Sequence, residues 1–226
     1  MSETVLTRQQ ASEAVTGHGW RFVLGSLCTA VAVSSLAQAA EVAALAVAAA
    51  GPGAENRLLL DLRGDRVLLT VQVPGAMRVT GGETALAVRV SAALTEAGYA
   101  TDAVGGPKRV VQLLEIAVDA LDIAAVRPFW LAVLGYDEVG DDPGAAVVDP
   151  YGQGPAVWFQ QMDSPRTQRN RIHLDISVPH DEADRRVAAA VAAGGRVVYD
   201  QEAPAFRVLA DPEGNEVCVT TWLGRD

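Results

Sequence analysis

Histidine, cysteine, lysine and positive charge are all scarce in this chain of 226 residues. It carries three histidines, a single lysine at Lys108 and two cysteines, Cys28 and Cys218. The cysteines fall in different halves among apolar neighbours, so they read as small buried hydrophobes and exclude a disulfide framework. A reducing compartment follows. Against 28 acidic residues stand 18 basic ones, a net charge of −10 with a pI near 4.7. That balance excludes the basic stripe of a nucleic-acid surface and attraction to anionic lipid. A small organic molecule is the expected partner. No cationic start followed by an apolar core opens the sequence, and a cytoplasmic protein is expected. The apolar run at 27–50 is interrupted by Ser34, Ser35, Gln38 and Glu41, so it reads as a strand followed by a buried Ala-rich helix rather than a membrane span. With 50% hydrophobic residues the chain can bury substantial cores.

What is present is a message written twice. Leu113-Leu114-Glu115-Ile116-Ala117-Val118 lines up with His173-Leu174-Asp175-Ile176-Ser177-Val178 at an offset of 60, and Gly135 with Gly195 at the same offset. Asp149-Pro150-Tyr151-Gly152-Gln153 then matches Asp211-Pro212-Glu213-Gly214-Asn215 at an offset of 62. Each copy reads as a strand, a helix and further strands, which is an internal duplication. The acids of the second turn read as solvated. The predicted first strands are 113–118 and 172–178, with Leu114-Ile116-Val118 and Ile172-Leu174-Ile176-Val178 as apolar faces under the helices. The last strands are predicted at 157–162 and 216–221.

The first hundred residues read differently. Thr7 with Gln10 three residues on is a capping-box pattern for a short helix ending near Gly17. Hairpins follow across Gly25-Ser26 and Gly64-Asp65, an Ala-rich helix capped by Ser34 or Ser35 lies between them, and a last helix spans 83–97. The fold class is therefore α+β, an α-β-β-α-β-β-α domain at 1–100, a linker at 101–109 and paired βαβββ modules at 110–163 and 170–223 within a domain at 110–226.

The order of the first domain, with Leu6-Thr7, Gly19-Trp20 and Asp61-Leu62-Arg63-Gly64-Asp65-Arg66-Val67, resembles the pterin carbinolamine dehydratase family. The resemblance implies a His-His-Pro run where Asn56, Arg57 and Leu58 stand and a further His near Pro74; His18 is in the wrong place to compensate. An amide, a guanidinium and an alkyl group cannot relay protons. The domain is expected to be catalytically silent.

The second domain resembles the vicinal oxygen chelate superfamily, which includes glyoxalases, bleomycin and fosfomycin resistance proteins and extradiol dioxygenases. Trp158-Phe159-Gln160-Gln161, Arg171-Ile172-His173-Leu174-Asp175 and Ala210-Asp211-Pro212-Glu213-Gly214-Asn215-Glu216-Val217-Cys218 look like its glyoxalase-like branch. The resemblance implies a divalent metal held at Leu113, Gln160, His173 and Cys218. Leu113 cannot ligate, and Gln160, His173 and Cys218 alone make a poor set, so no cofactor is expected. Strand alternation puts Arg171 and Asp175 on the face of His173, Glu115 on that of Leu113, Trp158 on that of Gln160 and Glu216 on that of Cys218. His173, Glu115 and Asp175 are the expected proton-transfer set, with Trp158, Gln160, Arg171, Cys218 and Glu216 contacting ligand. Glu115 and Asp175 read equally well as partners of arginines that close the seam between copies. Four functions stay open: a metal-independent acid/base enzyme of isomerase, lyase or cyclase type, a sequestering resistance-type binder, a metal-dependent glyoxalase- or dioxygenase-like enzyme with Gln160, His173 and Cys218 as ligands, and an interaction module. A homodimer is expected.

Overall fold

The computed structural model describes residues 4–73, 76–104, 111–139, 145–166, 168 and 170–224. Pro74, Lys108 and most of the expected linker lie outside the described residues. The chain divides into two compact units, Met1–Leu113 and Leu114–Asp226, each with its own hydrophobic core.

In the first unit the local chemistry sets the elements as the sequence predicts. Helix α1 (Arg8–Thr16) starts on a reciprocal cap: Thr7 Oγ1 accepts from Gln10 N–H at 3.2 Å and Gln10 Oε1 accepts from Thr7 N–H at 2.9 Å. Strands β1 (Arg21–Val23) and β2 (Ser26–Ala32) form a hairpin whose turn needs positive φ at both Leu24 and Gly25. Any side chain at Gly25 would meet the Met77 backbone at 2.5 Å. Ser35 caps α2 (Leu36–Ala50), the Ala-rich helix the sequence predicts; it is half-buried rather than buried, with Ala39, Val42, Ala46 and Ala50 on the core and Leu36 and Val47 exposed. Strands β3 (Leu58–Leu62) and β4 (Arg66–Val71) make the second hairpin, and α3 (Gly81–Glu96) closes the unit. The sheet is antiparallel in the order β1-β2-β4-β3. Val67, Leu69 and Val71 point into the core beside Trp20, whose indole N–H donates to Ser91 Oγ at 2.7 Å. Among the described residues no helix is long and apolar enough to cross a membrane.

The second unit holds the duplication. Its first copy is β5 (Glu115–Ala120), α4 (Ile123–Leu134), β6 (Asp137–Glu138), β7 (Val147–Val148) and β8 (Ala156–Gln161); its second is β9 (Asp175–Ser177), α5 (Ala183–Ala192), β10 (Arg196–Tyr199), β11 (Phe206–Ala210) and β12 (Glu216–Thr220). The sheet orders are β5-β8-β7-β6 and β9-β12-β11-β10, so within each copy the first strand lies beside the last in parallel and the others follow antiparallel. The topology of one copy is that of the other. Helices α4 and α5 pack together over one core containing Val118, Phe129, Trp130, Phe159, Leu209 and Val219.

Two expectations fail here. The first strands begin later than the hydrophobic pattern suggests, and Leu114 and Ile172 are 66% and 78% exposed instead of lying under helices. The cause is the partner strand: β8 starts at Ala156, opposite Glu115, and the β12 ladder reaches back only to the bond from Cys218 N–H to Leu174 O at 2.8 Å. A residue beyond the end of its partner has nothing to pair with. The second failure concerns the Asp-Pro-Glu-Gly-Asn turn. Asp211 is fully buried, not solvated. Its carboxylate accepts from Trp130 Nε1–H at 3.1 Å, from the Glu213 and Asn215 backbone N–H groups at 2.9 Å each, and from Asn215 Nδ2 at 2.9 Å. Glu213 in turn accepts from Leu121 and Asp122 N–H at 2.7 and 2.6 Å, at the entry to α4.

Replacing Asp211 by Ala strands the Trp130 indole and the turn amides in a buried site, each unsatisfied donor costing about 1–3 kcal/mol. Denaturant unfolding should show a loss of about 3 kcal/mol or more for Asp211→Ala and a smaller one for Trp130→Phe. Equal stability of Asp211→Ala and parent would refute the pinning role.

Candidate functional site

The central strand β12 fixes the site in the second copy. Cys218 stands opposite Val208 on β11 and opposite Asp175 on β9, and all three point to the face away from the core. The bond from Cys218 N–H to Leu174 O holds the segment before β9 alongside the start of β12, which brings His173 near Glu216 and Cys218. These three side chains line one cavity of about 750 Å³ together with Val198, Tyr199, Glu202, Phe206 and Val208. Its aromatic wall is a stacked pair, Tyr199 and Phe206, with ring centroids 5.9 Å apart and an interplanar angle of 21°.

The sequence reading did not include Tyr199, Phe206 or Glu202. Phe206 could have been found, since it lies two residues from Val208 and shares its face. Tyr199 could not. The pairing of β10 with β11 slips between Val197 and Tyr199, so an extra residue, Val198, is inserted against β11. That bulge is how neighbouring residues Val198 and Tyr199 both reach the same cavity.

The other expected residues are dispersed. Arg171 lines a second cavity of about 920 Å³ with Asp119, Arg166, Asn215 and Trp130, and Glu216 belongs to both walls. Arg166 pairs with Asp119 at 2.7 Å there. Gln160 is exposed and borders a third cavity beside Asp119, Gln161 and Ser164. Trp158 is half-buried opposite Ala117, and Glu115 is exposed at the start of β5 opposite Ala156. Asp175 is exposed on β9.

Register also separates the positions expected to hold a metal. Glu115 is the counterpart of Asp175, and their neighbours on the last strands are Ala156 and Cys218. Gln160 sits four residues farther along, opposite Asp119, and is not the counterpart of Cys218. Leu113 precedes its strand and has no donor atom. Among the described residues no three His, Cys, Asp or Glu side chains converge as a metal would require. The residues present do not fit a metal of the kind the resemblance implies.

Residues 115–220 match the family described as a glyoxalase-like domain. Several solved structures are similar to the chain. A glyoxalase/bleomycin resistance protein/dioxygenase family enzyme from Burkholderia phytofirmans PsJN is 20% identical over 48% of this chain and 97% of its own, with a TM-score of 0.41. A glyoxalase-related enzyme from Fulvimarina pelagi is 17% identical over 50% of this chain and 88% of its own, at a TM-score of 0.41. The fosfomycin resistance protein FosX from Mesorhizobium loti is 12% identical over 49% of this chain and 91% of its own, at 0.40. No curated protein matches the chain.

Electrostatics inside the site give a direct check. Desolvation, then the charge of Glu202 and a 3.3 Å hydrogen bond from the Tyr199 hydroxyl to it, raise the Tyr199 phenol above its ordinary value. A neighbouring carboxylate disfavours the phenolate, so Glu202→Gln should let Tyr199 ionise at lower pH. Phenolate absorbance against pH, with Tyr199→Phe as reference, reads the change; an unmoved midpoint removes Glu202 as a cause.

Proposed function

We propose that the glyoxalase-like residues 115–220 bind a small organic molecule over the second sheet and act on it by metal-independent acid/base chemistry, of isomerase, lyase or cyclase type. One observation carries the reading: His173, Glu216 and Cys218 line a single cavity of about 750 Å³, within the range of small-molecule sites. Imidazole is the side chain best suited to take a proton and return it near neutral pH, so His173 is assigned the transfer. Asp175 supplies a carboxylate on the same sheet face, opposite Cys218. Glu115, its counterpart in the first copy, shares no described cavity with His173. The separation of Gln160 from His173 and Cys218 supports chemistry without a metal.

A sequestering binder is the second reading, favoured by the stacked Tyr199–Phe206 wall, which needs no reacting group. Variants at His173 separate the two. For an enzyme, His173→Gln should lower kcat by about 100-fold or more while binding changes little. A binder would show altered affinity and no turnover in the parent either.

The first unit is proposed to be a silent relative of the pterin dehydratases. Its element order supports this, and so does Arg57, which stands where the resemblance implies histidine. Arg57 Nη1 lies 2.8 Å from Oε1 of the fully buried Glu83, a charge contact outside hydrogen-bond alignment. Glu83 also accepts from Thr80 N–H at 2.9 Å. A guanidinium held this way is a fixed cation rather than a proton carrier. The protein should leave a pterin carbinolamine to dehydrate at its background rate, followed by absorbance; acceleration that depends on the protein overturns this assignment.

A further inference from the structure

We infer that the Tyr199–Phe206 wall selects flat aromatic rings, so that the molecule bound over the second sheet carries an aromatic group at the β10–β11 end of the cavity. The inference rests on the reading of this cavity as the small-molecule site and adds the part of the ligand that the wall recognises.

The wall suits a ring rather than apolar bulk. Strand β10 lies at the edge of its sheet, and its four residues are all exposed. Regular alternation would turn Val198 and Tyr199 to opposite faces. The extra residue at the bulge sends both to the cavity, and Tyr199 then stands opposite Val208. There its ring lies nearly parallel to that of Phe206, at an angle of 21°, and its hydroxyl donates to Glu202 at 3.3 Å, which fixes the ring's tilt. Tyr199 keeps 37% of its surface open. Two parallel rings held in place are a prearranged stacking surface. A third flat ring adds to such a stack, whereas a puckered ring meets it at fewer atoms. Val198 and Val208 beside them give apolar area without that preference.

The groups suited to chemistry lie at the other end. Glu216 stands opposite Ala210 on β11, and Phe206 is four residues farther along that strand. At the rise of a strand this is roughly 14 Å. His173 is near Glu216, so the ring sits at one end of the cavity and the group acted on at the other. A ligand that reaches both is elongated, with its reacting group away from the ring. No charge on the ligand is required.

The test uses two uncharged probes, 2-naphthol and decahydro-2-naphthol, which share a carbon skeleton and a hydroxyl and differ in flatness. Burial of apolar area alone favours the saturated alcohol, the bulkier and more apolar of the two, so a preference for naphthol reports stacking. Calorimetric titration of the full chain reads affinity, and amide chemical-shift mapping reads location. 2-Naphthol should bind about fivefold more tightly than the saturated alcohol, the scale of one aromatic pair, and shift amides at 198–208. Tyr199→Leu and Phe206→Leu keep apolar volume in the wall. Each should bring the ratio toward one while the saturated alcohol binds as it does to the parent, which shows the cavity intact. If the saturated alcohol binds there as tightly as naphthol, or both Leu variants keep the parent's preference, the aromatic assignment is overturned while the small-molecule site stands. If neither alcohol shifts those amides at millimolar concentration, both the assignment and the site reading are overturned.

Discussion

The second unit depends on one buried carboxylate. Asp211 is held inside the turn before β12, where it satisfies two backbone amides, the Asn215 side chain and the indole of Trp130 on the other copy's helix. A fully buried anion is costly unless its lone pairs are occupied, and here four donors occupy them. The fourth bond can form only with the two copies in register, because its donor belongs to α4. Glu213 and Asn215 extend the same tie, to the amides entering α4 and to Asp119 O at 3.2 Å. The start of β12, and with it the placement of Glu216 and Cys218, follows from this pin. The matching turn in the first copy uses the same chemistry without the cross-tie: Asp149 accepts from Tyr151, Gln153 and Gly154 N–H within its own loop.

Duplication explains the scaffold, and divergence explains the site. Both copies give a first strand beside a last strand and the same sheet order. At equivalent positions, however, Leu113 faces His173, Ala117 faces Ser177 and Ala156 faces Cys218 in the alignment. The first copy has lost, or never had, side chains able to move a proton or accept a hydrogen bond at those places. It keeps the core contribution, through Val118, Val157 and Phe159. Two sheets of one architecture therefore share one core and differ in the polar side chains they carry on the face away from it.

The fold was legible where short-range rules govern it. Thr7, Ser35 and the hairpin glycines mark their elements in the sequence because capping and positive φ are local requirements. The repeat was legible because strand alternation survives divergence. The strand starts were misjudged, since pairing ends where a partner ends and a single strand's pattern carries no record of its neighbour. Of the site, His173 and Cys218 were singled out by the resemblance and Glu216 by alternation from Cys218, and the three line one cavity. Tyr199 was not, because a bulge defeats alternation by design. Gln160 was placed with Cys218 by matching sequence phrases, whereas the ladder counts residues and puts it beside Asp119.

Asp211 and Glu202 illustrate why acidity alone says little about function. Both belong to a chain rich in acids, and the sequence treats the first as one more solvated charge. What separates them is the set of donors each meets. Asp211 meets four and is consumed by structure; the contact of Glu202 with Tyr199 is a single neutral hydroxyl, which perturbs the phenol and leaves the anion's field acting on the cavity. Donor supply is decided by tertiary neighbours such as Trp130, 81 residues away from Asp211. A carboxylate with its donors in place builds the fold, and one with a single neutral donor stays at the edge of a cavity with its charge largely unspent.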